Sequence, residues 1–439
     1  MTRVFCFRFS LMAVLLGLSL PAWSGELAES YQRVLVSEPN IDGARNRVAR
    51  QQAREGIVGG GLRPQLSAQA SENQIQERDP FSSESFQGSR YGVSLSQSLL
   101  DLETAARFDR EGALTEAAES ALVLAEHDMA LQLAQRFFQV QQARSGLKSL
   151  EALVRTLRLR REQARALSEA GQVSRLALVR LDSRLAERQA NLAAAGAELQ
   201  VAEASLLEID PEFPLNDLTV GLDIDIDWPS LGSMDEMIDR AMQANPRSRQ
   251  LQQQLNAEQL ALKAVERRRF PVIRFSASFD ERDINADNSA ATKTETTVYG
   301  VSLQWPLYRG GRLTAELDEQ AAILQSVQIE QDVYERRLRR EISEVVSSYQ
   351  TGQRRVDAQM TYLNAQLDAE RVLFAAFQQG AVSQSEYLDA LDTLASARIA
   401  RDNAIFSTVI NWLRAQVISG NFGLEHLAWI DELLAGLID

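Results

Sequence analysis

The 439-residue sequence holds one cysteine, Cys6, and two histidines, His127 and His426. A single cysteine excludes an intrachain disulfide framework and any multi-cysteine zinc or iron–sulfur site. The two histidines lie too far apart in sequence to suggest a histidine metal motif, so no metal and no other cofactor is expected. Positive charge is scarce as well. Lys and Arg number 46 against 60 Asp and Glu, for a formal charge of −14. This balance argues against nucleic acid as a partner, because neutralising phosphates needs clustered cations. The mean hydropathy is −0.22, with 45% hydrophobic and 24% charged residues. These values are too polar for a bundle of membrane helices and too apolar for a disordered chain. Nothing resembling a catalytic constellation stands out: there is no nucleophile–base set and no phosphate-cradling loop in a strand–helix context. Gly59-Gly60-Gly61 lies ahead of Pro64, at an expected helix end. The catalytic set is therefore read as empty and the protein as no enzyme. His127 falls inside a helical stretch and reads as a packing or surface residue.

What is present begins with an export leader. Arg3 and Arg8 precede about a dozen apolar residues, Phe9 to Leu20, too few to span a bilayer. Pro21 ends the run, and Ala22 and Ser24 supply small residues at the −3 and −1 positions. Residues 1–24 are read as a signal peptide cleaved after Ser24. Cys6 precedes the apolar core, so it cannot be a lipidated lipoprotein cysteine. No later run approaches 18 apolar residues, so no transmembrane helix is expected. An acidic exported chain without cysteine points to the periplasm or outer membrane of a Gram-negative cell.

The rest of the sequence is written twice. Pro39 and Pro64, 25 residues apart, are answered by Pro246 and Pro271 at the same spacing. Tyr91–Leu95 and Tyr299–Leu303 both read YGVSL, and AGQVS at Ala170–Ser174 is echoed by QGAVS at Gln379–Ser383. The three offsets are 207, 208 and 209 residues. Two repeats are expected, 25–210 and 233–420, joined by a segment at 211–232 and followed by a tail at 421–439. In the connecting region LDIDIDW, Leu222–Trp228, reads either as a short edge strand or as a linker across the body.

Proline is absent from Phe81 to Asp210 and from Leu307 to Asp439, and both stretches are rich in helix formers. A heptad seam runs Leu178, Leu185, Leu192, Leu199, Leu206, with Leu181, Arg188, Ala195, Ala202 and Ile209 three residues on. A helix from Thr104 to Ala170 would be about 100 Å long at ~1.5 Å per residue. Between the helical parts of each repeat lie two alternating segments, at about 64–77 and 88–99, then 271–283 and 294–307. Leu66, Ala68 and Ala70 oppose Ser and Gln; Tyr91, Val93, Leu95 and Leu99 oppose Gly and Ser. Ile273, Phe275, Ala277 and Phe279 alternate with polar residues, as do Tyr299, Val301, Leu303, Trp305 and Leu307. Period-2 alternation means strands with one apolar face, of the length used in outer-membrane barrels. A soluble β-sandwich would bury such faces on each other. Here the polar faces carry few charges, as a watery lumen would, and Phe270, Trp305 and Tyr308 gather at the helix-side ends like an interfacial belt. Four strands cannot close a barrel, and open edges are not tolerated in lipid, so a membrane reading demands several copies.

The leader, the duplicated strand-pair and long-helix halves, WPLYRGG at Trp305–Gly311, SLLD at Ser98–Asp101, and the AGQVS and QGAVS turns together resemble the TolC family of outer-membrane efflux proteins. The resemblance implies a mainly α fold with transmembrane β: a long antiparallel α-helical coiled-coil barrel plus four β-strands per protomer. It also implies a homotrimer sharing one twelve-stranded barrel in outer-membrane lipid, with a large periplasmic part. The 211–232 and 421–439 segments would form an equatorial region. The partners implied are a periplasmic adaptor (membrane fusion) protein and an inner-membrane ABC or proton-driven pump. Cargo would be drugs, metal ions or, by type I secretion, proteins, since selectivity lies mainly in the pump. The alternative function is a soluble periplasmic coiled-coil scaffold or adaptor.

By the same resemblance the two turns would form the periplasmic entrance. Glu386 and Asp389 follow Gly380 by six and nine residues, matching the family's acidic constriction, and three residues apart they share a helix face. The corresponding first-repeat position is Ala177 rather than an acid, and Val382 stands where a basic residue is often found. Arg175 and Arg180 offer a different lock, with Arg180 reaching Asp389 or Glu386 on a neighbouring coil. Gly171, Val173, Gly380 and Val382 are the expected adaptor-docking tips. Tyr91, Phe270, Tyr299, Trp305 and Tyr308 are the expected lipid-facing aromatic residues.

Overall fold

The computed structural model describes residues 25–78, 83–171, 174–215, 226–286 and 292–435. The expected leader, Val173, and parts of the 211–232 segment and of both strand connections lie outside the described residues. Helices α1 (Glu26–Ser37) and α2 (Pro39–Gly60) lead into strands β1 (Gln65–Arg78) and β2 (Ser83–Leu100), then into α3 (Leu102–Glu169) and α4 (Arg175–Leu207). The same order follows again as α5 (Met234–Ala244), α6 (Pro246–Arg267), β3 (Val272–Ala286), β4 (Thr292–Gln304), α7 (Arg312–Gln378) and α8 (Gln384–Ile418). The tail forms a further helix, α9 (Leu424–Ala435).

Local chemistry fixes most of these ends. Pro39 and Pro246 open α2 and α6 at positions where a missing N–H costs nothing. Asn245 caps α6 by accepting from the N–H groups of Arg247 and Ser248. Ser233 and Glu236 form a reciprocal capping box on α5. With no proline to stop them, α3 and α7 run 68 and 67 residues. Each is therefore about 100 Å long. No described helix is long and apolar enough to cross a membrane.

Each long helix changes partners along its length. Near the sheet α3 packs on α2 and α6, and α7 on α6; towards the far end α3 packs on α4 and α7 on α8. The main core sits midway. It joins Leu133, Phe137 and Phe138 of α3, Leu27 of α1, Leu206 of α4, Phe406, Val409, Trp412 and Leu413 of α8, and Leu427 and Ile430 of α9. The connecting segment crosses this core: Ile226 is buried, Trp228 meets Tyr349 edge-on at 6.2 Å, and the Tyr349 hydroxyl donates to the Pro229 carbonyl at 2.7 Å. Residues 226–230 are irregular, so the described part of LDIDIDW is a linker, not a strand.

The four strands form one antiparallel sheet in the order β1-β2-β3-β4, with β1 and β4 as its edges. Two details differ from the alternation read in the sequence. β4 stops at Gln304, so Trp305 and Leu307 lie beyond it; Pro306 has no N–H to extend the ladder. A register shift between Ser98 and Leu100 sets Leu100, not Leu99, opposite Ile273.

Candidate functional site: the sheet and the helical tips

Residues paired across an antiparallel ladder share a face, so the register maps the sheet directly. Leu66 pairs with Leu95, Ala68 with Val93 and Ala70 with Tyr91. Leu95 then pairs with Ala277 and Val93 with Phe279; Ala277 pairs with Tyr299, Phe275 with Val301 and Ile273 with Leu303. One face of all four strands is thus apolar but for Gln97 and Thr297, and it is exposed: Leu66 is 72% accessible, Tyr299 79% and Val301 64%. The opposite face carries Ser67 against Ser94, 2.8 Å apart, and Arg90 bonded to Asp280 at 2.9 Å.

The apolar band ends where charge begins. Tyr91 faces Glu281, Glu281 faces Glu295, and Lys293 pairs with both acids at 3.0 and 3.4 Å. From Ile273 to Glu281 the strand rises about 26 Å at ~3.3 Å per residue. At a barrel tilt of ~40° this is about 20 Å of height, close to the ~25 Å apolar band of outer-membrane barrels. At the helix-side end the Trp305 indole donates to the Arg269 carbonyl at 3.0 Å, beside exposed Phe270, and Tyr308 is nearly fully exposed. Of the five expected lipid-facing aromatics, Phe270, Trp305 and Tyr308 mark this end, Tyr91 marks the charged end, and Tyr299 lies inside the band.

The junctions between sheet and helix differ in the two halves. Asp101 caps α3 directly, accepting from the Thr104 N–H at 2.9 Å and its hydroxyl at 2.8 Å. Before α7 the WPLYRGG stretch is irregular and turns on Gly310 and Gly311, both at positive φ. Arg268 binds the two junctions together, reaching Glu103 of α3 at 2.9 Å and Glu316 of α7 at 2.6 Å.

At the far ends of the rods, the two turns are built alike. Gly171 and Gly380 have φ of +75° and +72°, which lets each helix reverse, and space is open around both. Ser174 and Ser383 then cap α4 and α8 through the Ala177 and Glu386 N–H groups, each at 3.2 Å. Gly171 and Gly380 are exposed and Val382 half-buried. Behind the turns, Leu153, Val154 and Leu157 of α3, Leu181 and Leu185 of α4 and Leu388 of α8 form a separate small core. This is where the heptad seam read in the sequence closes.

A ladder of charge edges that core. Arg184 of α4 pairs with Asp389 and, at 3.3 Å, with Asp392 of α8; Arg188 reaches Asp392 at 3.0 Å. Arg180, expected to meet Asp389 or Glu386, is exposed, and Arg184 one turn further on takes Asp389. Arg175 is exposed as well, and neither it nor Arg180 holds an ion pair among the described residues. Glu386 is exposed in the first turn of α8, where a carboxylate suits the helix dipole. Arg184, Arg188 and Asp392 escaped the sequence reading because partners more than 200 residues apart share no local pattern. The spacings of four on α4 and three on α8 were the available signal. Also missed was an aromatic box at the base of the second turn. Tyr387 stacks on Phe377 at 5.5 Å, donates to Glu370 at 2.9 Å, and lies under the Arg160 guanidinium of α3 at 5.3 Å.

The His127 side chain sits against the Phe422 ring at 5.1 Å, and burial lowers its pKa. No group of residues suited to a metal ion occurs among the described residues.

A family model described as outer membrane efflux protein matches residues 237–417. No curated protein matches the chain. Among solved structures, the fold is similar to that of CusC, at 18% identity and a TM-score of 0.78 over 90% of this chain and 92% of that one. It is similar to the CmeC outer membrane channel of Campylobacter jejuni, at 14% identity and a TM-score of 0.79 over 94% and 90%. The open-state MtrE outer membrane channel of Neisseria gonorrhoeae aligns at 17% identity and 0.76 over 90% and 89%. The outer membrane efflux protein model thus matches residues 237–417, in the second half of the chain, and the fold of the solved channels extends over nine-tenths of the chain.

Proposed function

We propose that this protein is the outer-membrane channel of an export system, a passive duct and not an enzyme. Three copies would place their sheets edge to edge as one twelve-stranded barrel, and their helices would form a periplasmic tunnel below it. The observation that carries this reading is the sheet itself: a continuous exposed apolar face about 20 Å high, a polar reverse face, and two open edges. In water such a face associates, and in lipid such edges must pair. The names of the similar structures, outer-membrane channels, support the location.

In this reading the two halves are copies of one ancestral unit. The polar face lines the pore, and the tips at Gly171 and Gly380 meet a periplasmic adaptor that connects to an inner-membrane pump. Glu386, Asp389 and Asp392, repeated by three copies, would ring the entrance with carboxylates and favour cations. Arg184 and Arg188 hold two of those acids against α4 and so narrow the entrance. The test is reconstitution of the detergent-extracted protein into planar bilayers, with membrane fractionation beside it. Outer-membrane recovery and stepwise cation-selective conductance are expected. Recovery as a soluble periplasmic monomer without conductance would favour the coiled-coil scaffold instead.

A further inference from the structure

Helix α1 is capped from the opposite end of the chain. Asp431 of α9 accepts hydrogen bonds from the N–H groups of Leu27, at 3.1 Å, and Ala28, at 3.0 Å. This is the work an N-cap side chain does when the preceding residue has one. The preceding residue here is Gly25, and no side chain would fit, because an added Cβ would overlap the Asp431 carboxylate. The junction rests on the main core through fully buried Leu27 and Ile430. Burial holds the Asp431 carboxyl up at about 6 in spite of the two N–H groups that lower it. Among the described residues no cation faces it.

We propose that Gly25 is the first residue of the exported protein and that its α-ammonium is the counter-ion of Asp431, so that removal of the leader completes the junction between the first and last helices. The sequence places small residues, Ala22 and Ser24, at −3 and −1 of this bond. The geometry places the Gly25 nitrogen beside Asp431: the overlapping Cβ position is about 2.5 Å from that nitrogen, so the nitrogen lies within about 4.5 Å of the carboxylate oxygen. Electrostatics makes the pair necessary. A helix N-terminus carries about half a positive charge, which repels an ammonium one residue away unless an anion lies between or beside them. Before cleavage the same nitrogen is a neutral amide, and the half-buried carboxylate has only N–H donors. Afterwards it gains a charge-assisted bond in a partly desolvated place, the stronger kind. A terminus one residue earlier would move the charge by about 3.6 Å and lose most of that bond.

The inference rests on the export leader, and its two halves are tested separately. N-terminal sequencing of the protein purified from membranes should begin Gly-Glu-Leu; any other first residue overturns the assignment. Inserting one glutamine between Ser24 and Gly25 keeps the cleavage site and leaves Asp431 intact while displacing the ammonium, and intact mass confirms the new terminus. Amide hydrogen exchange at Leu27, Ala28 and Tyr31 should then quicken about tenfold or more, the change expected from losing a charge-assisted hydrogen bond. Asp431→Asn should have a similar effect, and adding the glutamine to that variant should change little further. Wild-type exchange in the insertion variant, or effects that multiply in the combined variant, would refute the pairing.

Discussion

Replacing both arginines of the tip ladder should open the proposed entrance. Arg184 pairs with Asp389, whose side chain is 61% exposed, and such a pair is worth only about 0.2–1 kcal/mol. Asp392 is different. Its side chain is 18% exposed, its Oδ2 faces Arg184 at 3.3 Å and Arg188 at 3.0 Å, and its buried Oδ1 has no hydrogen-bond partner among the described residues. Stripping both partners from a mostly buried carboxylate costs about 1–3 kcal/mol per chain. The leucines behind the ladder, Leu181, Leu185 and Leu388, stay in place, so the loss falls on the tie between α4 and α8 and not on the rods. Each ~1.4 kcal/mol is a tenfold change in an equilibrium, so R184A/R188A should shift the closed-to-open ratio of the proposed entrance about 5- to 150-fold per chain. The assay is single-channel recording in planar bilayers, with thermal unfolding alongside to show that the helices remain folded. R180A serves as the control and should leave conductance unchanged. A well-folded R184A/R188A channel with wild-type conductance and open time would show that the ladder does not restrain the entrance.

Further outcomes follow from packing and charge. Gly352 lies within α7 where an added methyl would come 2.5 Å from the Thr408 hydroxyl of α8. Gly352→Ala should therefore lower the unfolding midpoint: a helix-propensity gain of ~1 kcal/mol is outweighed by overpacking of about 1–3 kcal/mol. Thr408→Ala in the same chain should restore it. Asp210, though burial works against its charge, is held below the usual carboxylate range by Arg33, Ser30 and the Glu212 N–H. Its contribution is thus present above the ordinary value near 3.8 and is lost as pH falls through the lowered one. Asp210→Asn should cost about 1.5–3 kcal/mol at neutral pH and flatten that acid limb in melts taken from pH 6 to pH 2.

The elements governed by a single local rule were legible in the sequence. Alternation places Leu66, Val93, Phe279 and Val301 on one face without any knowledge of pairing, because side chains on a strand alternate whatever its neighbours do. Proline-free stretches allow α3 and α7 their length, and Gly171 and Gly380 mark where they turn. What needed the third dimension was not legible. The pairing of Arg184 with Asp389 joins helices from opposite halves. The docking of α9, through Leu427 and Ile430, gives its short segment a place in the main core that its own pattern does not announce. Pro306 is a local signal for the end of β4, because it brings no N–H to the ladder, while the alternation of Trp305 and Leu307 runs on past it.

The central claim is that β1 of one copy seals against β4 of the next. The expected leader carries off Cys6, so the exported chain offers a background without cysteine for engineered cross-links. The most direct measurement places one cysteine at Ala68 on β1 and a second in turn at Thr297, Tyr299, Val301 or Leu303 on β4, and treats intact outer membranes with a short bifunctional thiol reagent. The account predicts that at least one pair yields three covalently joined chains on a denaturing gel, and that either cysteine alone yields none. Monomers throughout the scan, in protein present and folded, would contradict it.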